Sequence, residues 1–328
     1  MAQKRRSVET ELEALQALRT GATSPDLVEQ VRAALGSTRS LVAERAATIA
    51  KERNLQALER DLALAFERFL VDPVKRDPGC RAKLAAAEAL DFLDHLDPAP
   101  FVAAARHVQL EPAWGPPVDT AVALRGRGLV ALARLGYHDL SLIAGELLAD
   151  RESPVRQAAA DALGLLGDRA AAGALVLKIA VGDDDPLVVT ACASALLALA
   201  PDWALPRFRS FLLGKDLLLR ETIALALGQS RLEDAHPLLV ELLESTPLAA
   251  ERSVALRALG LHRSEHSLAV LLATISSGAS ADARAAVQAL AARRFEPGLP
   301  ARVRAAVEAN GADELATIYR EAFADTSE

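Results

Sequence analysis

Cysteine, aromatic rings, excess basic charge and long apolar runs are all scarce in this chain of 328 residues. The two cysteines, Cys80 and Cys192, fall in a helix-start turn and an apolar helical segment, with no zinc-ligand spacing around either. Two lone thiols exclude a disulfide framework and point to a reducing compartment, so the cytoplasm is the expected location. Aromatics make up 4% of residues against 51% apolar. A core built on large rings is therefore excluded, and closely packed Ala/Leu helices are favoured. The formal charge is −7. That balance disfavours a nucleic-acid groove, which needs Lys and Arg facing phosphates. The longest uncharged stretch, Leu187 to Pro201, is too short to span a bilayer. The opening Met-Ala-Gln-Lys-Arg-Arg-Ser runs into charged helix without the apolar core of a signal peptide. Charged residues, at 25%, are at an ordinary level for a folded protein.

What the chain does have is an internal repeat. Ala-Leu recurs at Leu90, Leu132, Leu163, Leu196, Leu227, Leu259 and Leu290, and from Leu132 onward the steps are 31, 33, 31, 32 and 31 residues. The step from Leu90 to Leu132 is 42, so an insertion lies there. Seven residues before each anchor stand Lys83, Arg125, Arg156, Val189, Arg220, Arg252 and Ala283, basic in five of seven. Thirteen before the first, second, third and fourth stand Asp77, Asp119, Asp150 and Asp183. Small residues flank the anchors, which lets helix backbones approach closely while Leu fills the remaining gap.

Each unit reads as two helices. Ser153-Pro154 caps and opens one, and Val155, Ala159, Leu163 and Leu166 mark a single face at helical spacing. Gly167-Asp168 ends it, and Leu175, Val176 and Ile179 begin the stripe of the second. No run shows the alternation of a strand, so an all-α chain is expected. The segment DRESPVRQAAADALGLLGDRAAAGALVLKIA, Asp150 to Ala180, resembles a HEAT repeat of the type shared with the phycobilin-lyase helical-repeat proteins. That resemblance implies a right-handed α-solenoid of stacked HEAT-like helical hairpins, each burying its face only against neighbours. The expected organisation is irregular capping repeats over 1–71, the array over 72–310 with an insertion at about 108–120, and a capping helix with tail over 311–328.

The regular Asp and Arg columns read as a structural ladder: Asp77, Lys83, Asp119, Arg125, Asp150, Arg156, Arg220 and Arg252 fix stacking rather than bind a ligand. His262, Glu265 and His266 invite a metal reading, but they span a turn, so the two rings are expected to diverge. The other histidines are scattered, and the paired His-Glu motifs of the deoxyhypusine-hydroxylase pattern are absent. Trp114 and Asp119 in the insertion suggest the aromatic–Asp pair of HEAT-like alkylpurine glycosylases. Gly115-Pro116-Pro117 forbids the helix such a pair needs. Trp114 is expected to pack on its neighbours as a loop anchor, and Trp203 to be a packing residue. Lys4-Arg5-Arg6 reads as a solvated terminus. Ala312 to Phe323 is an amphipathic cap, with an oligomer contact as the rival role.

No catalytic constellation, cofactor motif or metal set emerges, so the chain is read as no enzyme. The expected function is a scaffold binding a protein or peptide along its surface. Candidate contact residues are Glu88, Asp161, Glu221, Leu225, Arg257 and Gln288 on the exposed side of the first helices, with the Trp114 loop next in line. The resemblance also implies two other roles: a lyase-like or chaperone-like helper of a chromophore or cofactor protein, and a HEAT-like DNA-binding protein or glycosylase.

Overall fold

The computed structural model describes residues 2–20 and 26–324; the Lys4-Arg5-Arg6 side chains lie outside what is described. The fold class is an all-α solenoid of stacked helical hairpins, interrupted among the described residues by one short pair of strands. The chain divides into two compact units, Met1–Leu166 and Gly167–Glu328.

In the first unit, the helices Ser40–Glu52, Arg81–Phe92, Val122–Arg134 and Ser153–Leu166 pack side by side in chain order. In the second, Pro186–Leu199, Leu217–Ser230, Ala249–His262 and Ser280–Ala291 do the same, and each is followed by an outer partner helix. Every anchor leucine from Leu90 to Leu290 is buried. Alanines just before the anchors are buried with them, Ala86 and Ala87, Ala159 and Ala160, Ala255 and Ala258 among them. Their small side chains let helix surfaces meet with little bulk between them, and leucine closes the remaining gap.

The spacing is tight at Gly260, where a Cβ would fall 2.9 Å from the carbonyl oxygen of Ala289 on the next helix. Gly228 is tighter still against Ala258. Aspartates close the helix starts in the second unit. Asp185 accepts from Leu187 N at 3.0 Å and Asp216 from Leu219 N at 3.0 Å. The last helix, Asp313–Ala322, packs on Ser280–Ala291 and Leu299–Asn310. It buries Leu315 and Tyr319, and the Tyr319 hydroxyl donates to Pro300 O at 3.0 Å.

One expectation is corrected. The insertion is a β-hairpin, with β1 (Leu110–Ala113) antiparallel to β2 (Gly115–Asp119) and Leu110 opposite Asp119. Pro112, Pro116 and Pro117 rule out helix, and an extended backbone suits them. Proline also interrupts the alternation by which a strand is usually recognised.

Candidate functional site

Asp77 lies beside Lys83, and Asp119 and Asp150 lie beside Arg125. Lys83 Nζ lies 2.9 Å from Asp77 Oδ2, with both side chains fully buried. Asp77 also accepts from the backbone amides of Ala82 and Lys83, so it caps the helix whose lysine it neutralises. Arg125, also buried, reaches Asp119 Oδ2 at 2.7 Å and donates through Nη2 to Asp150 Oδ1 at 3.3 Å. Its Nε stands 3.2 Å from Asp150 Oδ2 without the angle for a hydrogen bond. One guanidinium thus joins the turn of its own repeat to the turn of the next. Burial opposes the Asp119 charge, but hydrogen bonds from Ala121 N, Gln109 N and Arg125 outweigh it and hold the carboxyl below its usual range. Arg156 donates to the carbonyls of Asp150 and Arg151.

From the Leu227 repeat onward the ladder changes its acid. Thirteen before the anchors stand Gly214, Thr246 and Ser277 in place of aspartate. The basic residue still serves that turn, Arg220 through Gly214 O and Arg252 through Thr246 O at 3.3 Å. The carboxylate now comes from the first turn of the following helix: Arg220 pairs with Glu251 at 2.5 Å and Arg252 with Asp282 at 2.9 Å. Where Val189 interrupts the basic column, Lys178 from the preceding helix supplies Asp183 at 2.7 Å.

A second set of ion pairs, more exposed, also joins neighbouring repeats, and it absorbs three of the candidate contact residues. Glu88 is held by Lys51 at 2.8 Å. Glu221 and Arg257 are held by each other at 2.5 Å. Leu225 is half-buried, whereas Asp161 and Gln288 are exposed. These positions are therefore interlocked charges with a few exposed side chains between them.

The histidines are less scattered than the sequence suggests. His236 lies between two others, its ring centroid 6.0 Å from that of His262 and 5.9 Å from that of His266. His262 Nε2 faces the carbonyl of Leu232 at 2.8 Å, so that nitrogen carries the proton. Its Nδ1 faces the Ser264 hydroxyl at 3.0 Å, and His236 Nδ1 faces Ser267 Oγ at 2.9 Å. Among the described residues no group of three or more His, Cys, Asp or Glu is arranged to hold a metal. Burial, followed by the nearby His262 and His266, holds the His236 pKa below its ordinary value.

The insertion is where local structure departs most from the repeat. Its base is fixed by polar contacts: Glu111 Oε1 accepts from Gly79 N at 2.6 Å, Gln109 Nε2 at 2.6 Å and Thr120 Oγ1 at 2.8 Å. Buried Gln109 also donates to Asp77 O at 2.9 Å, so the hairpin is tied to a ladder rung. From this base the strands project with Leu110, Val118 and the tip residue Trp114 exposed, Trp114 completely so. Trp114 is thus no loop anchor, because the polar network holds the loop and leaves the indole in solvent. The anchoring roles of Gln109, Glu111 and Thr120 carried no motif; the only signal was the long step between Leu90 and Leu132. Trp203 is part-exposed and borders a narrow apolar cleft with Ile179, Leu196 and Phe211.

Residues 173–260 match a family model described as HEAT repeats. This part of the chain is a HEAT-repeat array. No curated protein matches the chain. Among solved structures it is similar to the complex of CpcE and CpcF of phycocyanin lyase from Nostoc sp. PCC7120, at 20% identity. That likeness covers 89% of this chain and 96% of the other, with a TM-score of 0.36. It is also similar to human deoxyhypusine hydroxylase in complex with glycerol, at 20% identity, 83% and 96% coverage and a TM-score of 0.33. Likeness at these scores carries nothing about what this HEAT array binds or does. Among its described residues no helix is long and apolar enough to cross a membrane.

Proposed function

We propose that this HEAT-repeat protein is a non-catalytic scaffold that captures a protein partner, with the Trp114 hairpin as its principal anchor. The observation that carries this reading is a completely exposed tryptophan on a hairpin whose base is hydrogen-bonded into the ladder. A large indole in water is unfavourable, and burying one removes about 150–250 Å² from solvent. At about 25 cal/mol per Å² that is worth roughly 4–6 kcal/mol before the costs of association.

The hairpin is suited to present that side chain and little else. Pro112, Pro116 and Pro117 lack the N–H groups that a further strand would pair with, so the partner engages side chains rather than extending the sheet. The fixed base and the prolines limit the ordering cost on binding. Tryptophan is among the residues that most often dominate an interface.

The test compares wild type with Trp114→Ala in capture from lysate of the native host, quantified by mass spectrometry. A discrete protein bound by wild type and lost from the variant supports the anchor; equal capture by both removes it. Equal melting of the two proteins shows that only the surface has changed.

A further inference from the structure

Among the described residues the second unit carries nine exposed large apolar side chains, and six of them fall on three consecutive turns between repeats. Leu187 is the second residue of the helix Pro186–Leu199. Leu217 and Leu218 open Leu217–Ser230, and Leu248 directly precedes Ala249–His262. These three helices stack side by side, so the four leucines stand at the same end of neighbouring helices. Each is more than half exposed. Val181 and Leu213 join them from the ends of the outer helices that lead into the first two turns.

A single exposed leucine needs no explanation, whereas a group recurring at one end of stacked helices does. Helix formation does not supply one. Asp185 and Asp216 already cap their helices, and a first turn gains from acidic side chains rather than apolar ones.

Acidic charge gathers on the same three turns. Residues 178–187, 213–221 and 244–252 hold seven acids against four bases, a net −3. Pairs within the turns, Asp183 with Lys178 and Glu251 with Arg220, are inside that count. Partners from other helices cancel each other, Arg257 on Glu221 and Asp282 on Arg252. In chain order the preceding turn, 150–156, and the following one, 276–284, each hold equal numbers of acids and bases. Neither carries an exposed large apolar residue. The leucines and the acidic excess therefore begin and end with the same three repeats.

We propose that this edge of the second unit docks a basic amphipathic helix of a protein partner. Its apolar face covers Leu187, Leu217, Leu218 and Leu248, and its Lys and Arg side chains meet the acidic turns. Stacked helices lie about 8–10 Å apart, which is about five to seven residues along an α-helix. One face of a helix laid across the three ends thus meets a leucine at roughly every second turn. A second copy of this chain is disfavoured as occupant, because a like-to-like contact sets acid against acid. The surface lies on turns other than the Trp114 hairpin, and the inference does not rest on that hairpin's role.

The experiment measures fluorescence anisotropy of a labelled peptide of about 18 residues, built of leucine and lysine with the leucines on one helical face. The controls are the same composition ordered to spread the leucines around the helix, and a leucine–glutamate peptide with the leucines on one face. The full chain is expected to bind the amphipathic basic peptide at least about tenfold more tightly than either control. Leu187→Ser, Leu218→Ser and Leu248→Ser combined, which change exposed positions only, are expected to weaken that binding at least about tenfold with unchanged melting. Asp184→Asn with Glu244→Gln is expected to weaken it and to reduce its dependence on salt. Binding of the spread peptide as tight as that of the amphipathic one overturns the proposal, as does undiminished binding by the triple serine variant. Equal binding of the leucine–glutamate peptide overturns the charge assignment. Sedimentation that shows wild type dimerising and the serine variant monomeric overturns the choice of occupant in favour of a second copy.

Discussion

Arg252 donates through Nε to Asp282 Oδ2 at 2.9 Å and through Nη1 to Pro247 O at 2.5 Å, so one side chain ties the start of its own repeat to the first turn of the next. Arg125 does the same in the first unit with Asp119 and Asp150. Losing a buried member of such a ladder strands the groups it served. Arg125→Ala leaves two largely buried carboxylates uncompensated and is expected to cost about 3–5 kcal/mol. Arg156→Ala, which strands the carbonyls of Asp150 and Arg151, is expected to cost about 1–3 kcal/mol. Urea unfolding of both against wild type checks the order, and melting of Arg156→Ala equal to wild type would contradict the ladder assignment.

The close approach of stacked helices makes a contrasting pair of glycine variants. Gly260→Ala puts a methyl 2.9 Å from Ala289 O, so it is expected to destabilise the second unit despite alanine's better helix propensity. Gly145 lies within the helix Leu140–Leu147 with nothing within 4 Å of its Cβ position. There Gly145→Ala is expected to stabilise by about 0.5–1 kcal/mol. Opposite shifts in the unfolding midpoint confirm both; a gain at Gly260 would refute the packing account.

Glu221 and Arg257 form a half-exposed pair across two repeats. Reversing either one alone is expected to leave the fold intact and cost less than about 1 kcal/mol, and exchanging both residues to restore the loss. If these residues also touch a partner, the exchanged pair recovers stability without recovering capture. A double-mutant cycle with both readouts separates the two roles.

Acid sensitivity follows from the histidines. Burial first, and the two neighbouring rings second, hold the His236 pKa down, and burial does the same at His107. The unfolded chain then binds more protons than the folded one just below the ordinary histidine value of about 6.5. Stability present above that pH is lost as the pH falls through it. The melting temperature is expected to fall between pH 7.5 and pH 5.5, and to fall less in a His236→Asn, His107→Gln double variant. An identical fall in both proteins would assign the effect to other groups.

The periodic part of this fold was open to sequence reading because the same physical demand recurs in every repeat. Each needs a small column and an anchor leucine, and most carry a basic ladder residue, so chance matches fail against the register. Arg125 and Lys83 announced their partners through that register. Glu251 and Asp282 did not, because the acid moves from the turn to the next helix and two columns must be compared to see the exchange. The hairpin was hidden for the opposite reason. It occurs once, its prolines mask strand alternation, and Glu111, Gln109 and Thr120 find each other only after Asp77 and Gly79 are folded alongside them. The exposure of Trp114 depends on that network and has no local signature. The gathering of His236, His262 and His266 likewise depends on the stacking of successive repeats.

The most direct test of the account is capture of a protein partner by wild type and by Trp114→Ala at matched concentration, with melting curves recorded for both. The account predicts unchanged melting and at least a tenfold loss of a discrete captured protein when the indole is removed. Unchanged melting with undiminished capture would contradict it and place the binding surface elsewhere on the repeats.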